Sequence, residues 1–395
     1  MTWQTKKLGE ICDVVNGGTP KTNVLKYWNG DILWITPKDM GKMDSFFLTD
    51  TWRKISEAGL KNSSAKIIPS NSVILSTRAP IGHLAINKNA VTTNQGCKGL
   101  IPNNNLNVYF LFYFLKLSVD FLNNLGSGTT FKELSGTKLK EVEIPLPPFS
   151  EQQRIVKILD EVFKKNEKAK ENTEKNLQNV RELFESYLQN VFANPGNRWE
   201  EKRLEEILLK TETINPTQNP GKEFIYIDVS GVNNKSFTIE NTMLLKGINA
   251  PSRARKLIKN GDVIFATIRP TLRRIAIIPK ECDGQICSTG YFVFRGKEQV
   301  NNKLLFYFLL TNSFNEKMKK LQKGASYPAV TDKEVKEQVI SFPKSLLKQR
   351  TIVAKLDSLS EETKKLENIY KQKLTNLEEL KKSILKKAFS GELQN

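Results

Sequence analysis

Short motifs of this chain bring together residue types that could do chemistry, and each lacks a part that its chemistry requires. The Gly-rich run at 126–130, GSGTT, has neither the spacing nor the lysine of the phosphate-binding loop GxxxxGK[ST]. Adenine methylation would use an Asn/Asp-Pro-Pro-aromatic corner, but the Asn-Pro pairs that end at Pro195, Pro216 and Pro220 are followed by Gly, Thr and Gly. We therefore predict that the chain holds no catalytic residue.

Metal chemistry is also poorly supported by the residue types. Cys282 and Cys287 could form half of a zinc site, but no second cysteine pair exists and His83 is the one histidine of the chain. No Pro-Asp dipeptide is present to begin a nuclease core of the Pro-Asp...Glu-x-Lys type. The prediction is no metal site, no cofactor in this chain, and reduced thiols of the kind found in the cytoplasm.

The charge of the chain favours a polyanionic partner. The 395 residues carry 61 Lys+Arg against 42 Asp+Glu, a net charge of +19. Residues 1–149 hold +6, 150–197 hold 0, 198–346 hold +9 and 347–395 hold +4, so the excess lies mainly in the first and third segments. The longest apolar run, 109–115, is far shorter than the roughly 20 residues needed to span a bilayer. We expect a cytoplasmic protein that binds nucleic acid and no membrane.

Side-chain chemistry indicates which residues could contact DNA. Arg and Lys bind guanine or phosphate, and Asn and Gln can pair with adenine. For any one of these residues, a solvated surface charge is an equally good reading. The candidates in the first segment are Arg78, Asn94, Gln95, Lys98, Ser127, Thr129, Thr130 and Lys132, and those in the third are Arg253, Arg255, Lys256, Arg269, Arg273, Arg274 and Lys323.

The chain repeats itself with a shift of 190 to 197 residues. Trp3 with KLGEI at 7–11 recurs as Trp199 with RLEEI at 203–207. VILSTRAP at 73–80 answers VIFATIRP at 263–270, FYFL at 112–115 answers FYFL at 306–309, and QR at 153–154 answers QR at 349–350. Because these similar segments occur in the same order in both halves of the chain, the sequence predicts two copies of one unit.

Each copy divides into a mixed segment and a helical one. Residues 1–149 and 198–346 alternate Gly, Pro and Asn turns with β-branched and aromatic runs such as 65–68, 73–76 and 263–268, which predicts strand-rich α+β domains. Residues 150–197 and 347–395 hold long stretches rich in Glu, Lys, Leu and Gln, which predict two spacer helices. The aromatic runs at 109–113 and 306–308 have the spacing of a core helix rather than of a base-stacking surface.

An apolar stripe follows each predicted helix and favours a two-helix coiled coil. The second helix starts at the second domain and must return toward the first, so the pair is expected to be antiparallel, with an approximate two-fold axis. The alternative is that each helix packs on its own domain. The predicted seam consists of Ile155, Leu159, Val162, Leu177, Val180, Phe184 and Tyr187 with Ile352, Leu356, Leu359, Leu366, Tyr370, Leu374, Leu377 and Ile384, interrupted by Asn166, Thr173 and Thr363.

Two basic domains at a fixed separation suit a DNA duplex with a split target. A helix of about 40 residues is ~60 Å long, which corresponds to fewer than about twenty base pairs. The sequence therefore predicts a bipartite target with an unread gap.

The chain resembles the specificity subunits of type I restriction-modification systems over nearly its whole length. The resemblance is carried by KLGEI with GGTPKT at 7–22, STRAPIG at 76–82, TNQG at 93–96, GSGTTFKELS at 126–135, IPLPPFSEQQRIVKILDE at 144–161 and SILKKAFSGEL at 383–393. The second copy departs from this pattern, since no GGTP follows Trp199 and IRPTL at 268–272 replaces RAPIG. These departures leave the second target half undetermined.

The resemblance implies a non-catalytic subunit that binds a bipartite double-stranded DNA target, with 1–149 and 198–346 as two target-recognition domains that each read one half. It also implies docking of two methyltransferase subunits, and of restriction subunits in the full complex. S-adenosylmethionine, ATP and Mg²⁺ are then expected on those partners. Two rival interpretations stay open at this point: a self-contained DNA-modifying enzyme and a basic coiled-coil scaffold protein.

Overall fold

The computed structural model describes residues 3–128 and 132–393. The chain divides into two compact units, of which unit 1 contains residues up to 173 together with those from 372 onward, and unit 2 contains residues 174–371. The two longest helices, α7 (Phe149–Ala193) and α12 (Leu346–Ser390), each contribute one part to each unit.

Unit 1 begins as a mixed domain of short strands and helices. Its strands are β1 (Gln4–Lys7), β2 (Cys12–Asn16), β3 (Trp28–Ile35), β4 (Phe47–Leu48), β5 (Arg53–Ile55), β6 (Val73–Thr77), β7 (Ile81–Asn87), β8 (Val91–Thr93), β9 (Cys97–Pro102) and β10 (Glu143–Leu146). Its helices before α7 are α1 (Leu8–Ile11), α2 (Pro37–Met40), α3 (Glu57–Lys61), α4 (Val108–Leu117), α5 (Val119–Leu125) and α6 (Gly136–Lys140), with a 3₁₀ turn at Leu25–Tyr27.

The largest sheet of unit 1 shares an apolar core with helix α4. The order β2-β9-β6-β7-β4 forms the largest sheet, β5-β3-β8 forms a second, and β1 pairs antiparallel with β10. Every residue of β6 is buried, as expected for a continuous apolar run in the middle of a sheet. The predicted strand at 65–68 is wrong, because only an isolated bridge from Ile68 to Val91 forms there.

Unit 2 repeats this plan with shorter strands. Its strands are β11 (Trp199–Arg203), β12 (Glu223–Ile227), β13 (Met243–Lys246), β14 (Ala254–Leu257), β15 (Val263–Ala266), β16 (Ile275–Ile277), β17 (Ile286–Ser288), β18 (Tyr291–Phe294) and β19 (Val339–Pro343). The helices are α8 (Leu204–Ile207), α9 (Asn302–Leu309), α10 (Asn312–Leu321) and α11 (Asp332–Lys336), with 3₁₀ turns at Pro216–Gln218, Val229–Gly231, Gly247–Asn249, Pro270–Leu272 and Lys280–Cys282.

The internal repeat predicted from the sequence is confirmed by equivalent elements. Strand β11 pairs antiparallel with β19 as β1 pairs with β10, and β15 lies between β16 and β18 as β6 lies between β7 and β9. The two FYFL segments lie in α4 and α9, where most of their side chains are buried, so the core reading of the aromatic runs is correct. The side chains of Asn107 and Asn301 cap these two helices at equivalent positions.

In unit 1 the return of helix α12 is seen directly. Leu385, Ala388 and Phe389 are buried in the same core as Ile155 and Leu159 of α7. The Phe389 ring lies 4.8 Å from the ring of Phe110 in α4, centroid to centroid. Ion pairs join the two helices in antiparallel order, with Lys381 to Glu167 at 3.0 Å and Lys170 to Glu378 at 3.4 Å.

In unit 2 the other halves of the same helices make the equivalent packing. Leu188 of α7 shares a core with Val353 and Leu356 of α12. The Phe192 ring lies 5.7 Å from the ring of Phe308 in α9. Phe192 and Phe389 occupy equivalent positions of the repeat, 197 residues apart. Helix α7 therefore ends against α9 of the second copy, and α12 ends against α4 of the first copy. The predicted antiparallel coiled coil is therefore correct, and packing of each helix on its own domain alone is wrong.

The seam differs from the predicted stripe in its details. Leu366 is 40% exposed, so its placement in the seam is wrong; the neighbouring Glu367 faces α7 instead and pairs with Arg181 at 3.0 Å. Asn166 and Thr173, which interrupt the stripe in the sequence, are buried within the pair. The remaining predicted seam residues are buried or half-buried: Ile155, Leu159, Val162, Leu177, Val180, Phe184 and Tyr187, with Ile352, Leu356, Leu359, Tyr370, Leu374, Leu377 and Ile384.

Buried glutamines attach each domain to the start of its spacer helix. The side-chain amide of Gln152 donates to the carbonyls of Asn105 and Pro147, and its oxygen accepts from the backbone N–H of Asn107. Gln349 makes the same three bonds in unit 2, to Gln299, Pro343 and Asn301. The structural counterpart of Gln349 is therefore Gln152, with a shift of 197, and the sequence pairing of Gln349 with Gln153 is wrong by one residue.

Among the described residues, every helix is too short or too polar to cross a lipid bilayer.

Candidate nucleic-acid interface

In unit 1, two loops lie together beside the buried strand β6. The backbones of Ser127 and Glu133 exchange hydrogen bonds of 3.0 and 2.9 Å, and the N–H of Leu134 donates to the carbonyl of Thr77. Arg78, in the turn after β6, forms a bridge with Glu133 and an ion pair at 3.4 Å. We name residues 77–82, with 126–128 and 132–135, the first loop pair.

The GGTP and TNQG motifs meet next to this loop pair. A Cβ on Gly17 would lie 1.9 Å from the carbonyl oxygen of Asn94, so only glycine permits this approach of the two backbones. The hydroxyl of Thr19 donates to the Gln95 side-chain oxygen at 2.6 Å. Arg78, Asn94 and Gln95 line one shallow cavity of about 300 Å³ with Thr36, Pro37, Lys38, Ala79 and Gly96. Three candidates that are distant in sequence are thus brought together.

Unit 2 has an equivalent second loop pair, residues 267–274 and 322–331. The backbones of Lys323 and Ala329 exchange two hydrogen bonds of 2.9 Å, and Val330 donates to the carbonyl of Thr267. The N–H of Arg269 donates to the carbonyl of Pro328. Each unit therefore presents the same two joined loops.

Three of the predicted DNA contacts are used inside the protein, and we remove them from the contact set. Lys98 is buried, donates to Asn16 at 2.9 Å, and has a pKa lowered by desolvation. Lys256 donates to the carbonyl of Tyr291 and pairs with Asp332. Arg274 donates to three backbone carbonyls, those of Val229, Ser230 and Val232. The sequence could not show this, because the partners lie 35 to 82 residues away.

Arg273 is half-buried rather than a free surface charge. Its guanidinium donates to the carbonyl of Leu310 and lies 5.9 Å from the centre of the Phe237 ring. Desolvation lowers its pKa, with Glu185 acting in the opposite direction. Its role in packing makes it a weak candidate for reading DNA.

The other candidates among the described residues are exposed or half-buried. Thr129 and Thr130 lie outside the described residues. Asn94 and Arg255 are half-buried, and the exposed candidates are Arg78, Gln95, Ser127, Lys132, Arg253, Arg269 and Lys323. Sequence reasoning missed Lys38, which lines the cavity beside Arg78, and Tyr327, which lies under Arg269. The signal for Tyr327 was its equivalence, at a shift of 196, with Phe131 of the GSGTTFKELS motif.

Comparison with known proteins identifies the family. The family model described as type I restriction modification DNA specificity domain matches the chain twice, over residues 1–177 and 197–376. The chain belongs to this family. It is 30% identical to the MjaIX specificity subunit of Methanocaldococcus jannaschii over 99% of this chain and 94% of that protein. It is 33% identical to the EcoR124I/EcoR124II specificity subunit of Escherichia coli over 49% of this chain and 48% of that protein.

Solved structures support the same fold. A chain in a study of complex assembly and conformational transition of the type I R-M system matches with a TM-score of 0.77 at 20% identity, covering 99% of this chain and 98% of that one. The HsdS subunit of Thermoanaerobacter tengcongensis matches with a TM-score of 0.67 at 21% identity, covering 99% and 97%. Each of the two specificity domains of this chain contains one loop pair.

Metal-ligating groups are not clustered in the part of the specificity chain that the structure describes. Residues 3–128 and 132–393 contain no group of three or more His, Cys, Asp or Glu placed to hold a metal ion. Cys12, Cys97, Cys282 and Cys287 are free and buried. Burial raises the pKa of the Cys12 and Cys287 thiols to about 12, which keeps them protonated and unreactive at neutral pH.

Replacing Arg274 with alanine is expected to destabilise unit 2. The change removes the Arg274 donor from the carbonyls of Ser230 and Val232 and leaves that of Val229 with the Tyr291 hydroxyl alone, and each lost bond in a partly buried site costs about 1 kcal/mol or more. We expect the free energy of unfolding to fall by about 2–4 kcal/mol, measured by urea titration. Arg253→Ala is the matched control, since Arg253 is exposed and should change stability by less than about 0.5 kcal/mol. Equal stabilities of the two variants would contradict the assignment.

Proposed function

We propose that this chain is the sequence-specificity subunit of a type I restriction-modification complex, in which each unit reads one half of a bipartite double-stranded DNA target. The observation that carries the proposal is the loop pair found once in each of two specificity domains. Each pair joins the turn after the central buried strand to the loop after the second core helix. Arg78 lies in the first pair and Arg269 in the second, where each can reach a ligand outside the domain.

The proposal includes partners that supply the chemistry. Two methyltransferase subunits would dock on the chain, and restriction subunits would complete the nuclease. S-adenosylmethionine, ATP and Mg²⁺ would bind those subunits, and this chain would act without catalysis, in the cytoplasm where the chromosome lies. The sequence supports this division, because the motifs for methyl transfer and for ATP binding are incomplete in this chain.

Two rival functions explain less of the molecule. A self-contained DNA-modifying enzyme would need the catalytic corner that the Asn-Pro pairs do not form. A basic coiled-coil scaffold would account for the helices and the net charge, but would leave the two loop pairs without a role. Methyl transfer from S-adenosylmethionine by the purified chain alone would favour the first rival.

Mapping of methylated bases in the host genome tests the proposal. We expect a two-part methylated motif with an unread gap in cells that contain the chain, and complete loss of that motif when its gene is deleted. Restoring the gene on a plasmid should restore the motif. A methylation pattern that deletion leaves unchanged would reject the function.

A further inference from the structure

Arg269 and Tyr327 form the outer tip of the second loop pair. The guanidinium carbon of Arg269 lies 4.8 Å from the centre of the Tyr327 ring. Tyr327 is 71% exposed, which is unusual for so large an aromatic side chain. The ring is therefore a platform that faces solvent on one side and the arginine on the other.

The backbone fixes where Arg269 points. Its φ of 50° lies in the left-handed region, which bulky residues seldom occupy, and Pro270 restricts the next step of the chain. Its N–H donates to the carbonyl of Pro328 at 2.6 Å, which ties the turn to the opposite loop. The Arg269 side chain therefore extends from a turn whose backbone is fixed by a hydrogen bond to the opposite loop.

Most donors of the Arg269 guanidinium remain available. One terminal nitrogen, Nη2, lies 3.3 Å from the carbonyl of Ser326, and no ion pair of Arg269 occurs among the described residues. Arg78, at the tip of the first loop pair, differs because Glu133 neutralises it at 3.4 Å. An arginine that is stacked, braced and without a counter-ion presents a planar fork of N–H groups to a ligand.

We propose that Arg269, held over the Tyr327 ring, reads one guanine in the target half bound by unit 2. This inference rests on the proposed function and names a specificity residue within it. The arginine fork matches the O6 and N7 acceptors that guanine shows in the major groove. A phosphate contact would need only positive charge and would carry no sequence information.

The first test is methylated-base mapping in cells that carry Arg269→Ala together with the partner subunits. Loss of the guanine contact should relax one position of one half-site, so that sites with A, C or T there are methylated as well as sites with G and up to about four times as many sites are modified, while the other half and the gap stay the same. Tyr327→Ala should relax the same position, and Tyr327→Phe, which keeps the ring, should not. The matched control is Lys333→Ala, an 83% exposed lysine outside both loops, which should leave the motif unchanged.

The second test uses the unsubstituted complex and does not depend on how well a variant folds. DNA targets in which each guanine of the second half-site is replaced in turn by 7-deazaguanine lose the N7 acceptor. We expect one replacement to weaken binding about tenfold, and that same replacement to have no further effect on the Arg269→Ala complex.

The outcomes distinguish a failure of the guanine contact from a failure of the proposed function. A two-part motif that Arg269→Ala leaves fully selective, or a 7-deazaguanine series in which no position weakens binding, overturns the guanine contact alone. Equal weakening at every sequence in the Arg269→Ala complex, with selectivity kept, also overturns it and assigns Arg269 to phosphate. The absence of any two-part motif in cells with the natural chain rejects the function itself.

Discussion

Removing seven residues from each long helix is expected to shorten the unread gap of the DNA target by about three base pairs, because seven helical residues span ~10 Å and a base-pair step spans ~3.4 Å. The segments to remove are 171–177 of α7 and 371–377 of α12. They lie between the cross-helix ion pairs, with Lys170 to Glu378 on one side and Arg181 to Glu367 on the other. Seven residues are close to two helical turns, so the faces that pack together are preserved.

The measurement for the paired deletion is the methylated motif of cells that contain the variant and its partners. Both half-sites should keep their sequences while the distance between them decreases. Removal of 171–177 alone is the control, since it shifts one helix against the other, separates the cross-helix pairs and should abolish methylation. Circular dichroism checks that the paired deletion is folded. A folded variant that still methylates the original gap would show that the helices do not set the spacing.

Replacing Gln152 with leucine is expected to lower the stability of unit 1 by about 2–4 kcal/mol, because three backbone groups, one buried and two partly buried, lose their partner. Gln152 is fully buried, so water cannot replace the lost bonds. Gln349→Leu should have the corresponding effect in unit 2, where Gln349 is equally buried.

Gln153→Leu is the matched control for Gln152→Leu. Gln153 is exposed on the same helical turn, so the same chemical change should alter stability by less than about 0.5 kcal/mol. Urea unfolding followed by tryptophan fluorescence measures the difference, since Trp28 and Trp34 lie in unit 1. Equal losses for the two variants would mean that the hydrogen bonds of Gln152 contribute nothing to the attachment of the domain.

The buried polar residues of the helix pair illustrate where a periodic pattern misleads. Asn166 and Thr173 read as interruptions of an apolar stripe, yet both are buried. Asn166 donates to the carbonyl of Leu377 on the other helix, and Thr173 to the carbonyl of Ala169 on its own. A polar residue inside a two-helix seam favours one register at a cost in stability, which a stripe of apolar letters does not reveal.

The sequence by itself determined the two-copy plan, the two long helices, their antiparallel return and the family. Local composition, periodicity and internal sequence similarity predict these features, and none of the three depends on contacts between distant residues. The same reasoning selected Arg269 and placed the aromatic runs of α4 and α9 in the core.

Only the tertiary structure decided which basic residues are free. Lys98, Lys256 and Arg274 have the same chemistry as the exposed Arg253, but their side chains end on carbonyls, amides or carboxylates from remote segments. The structure also showed that the equivalent of Gln349 is Gln152, not Gln153. In the helix pair, Glu367 rather than the predicted Leu366 faces the other helix. The physical reason is that burial and hydrogen-bond partners arise from contacts distant in sequence, while a motif records only its neighbours along the chain.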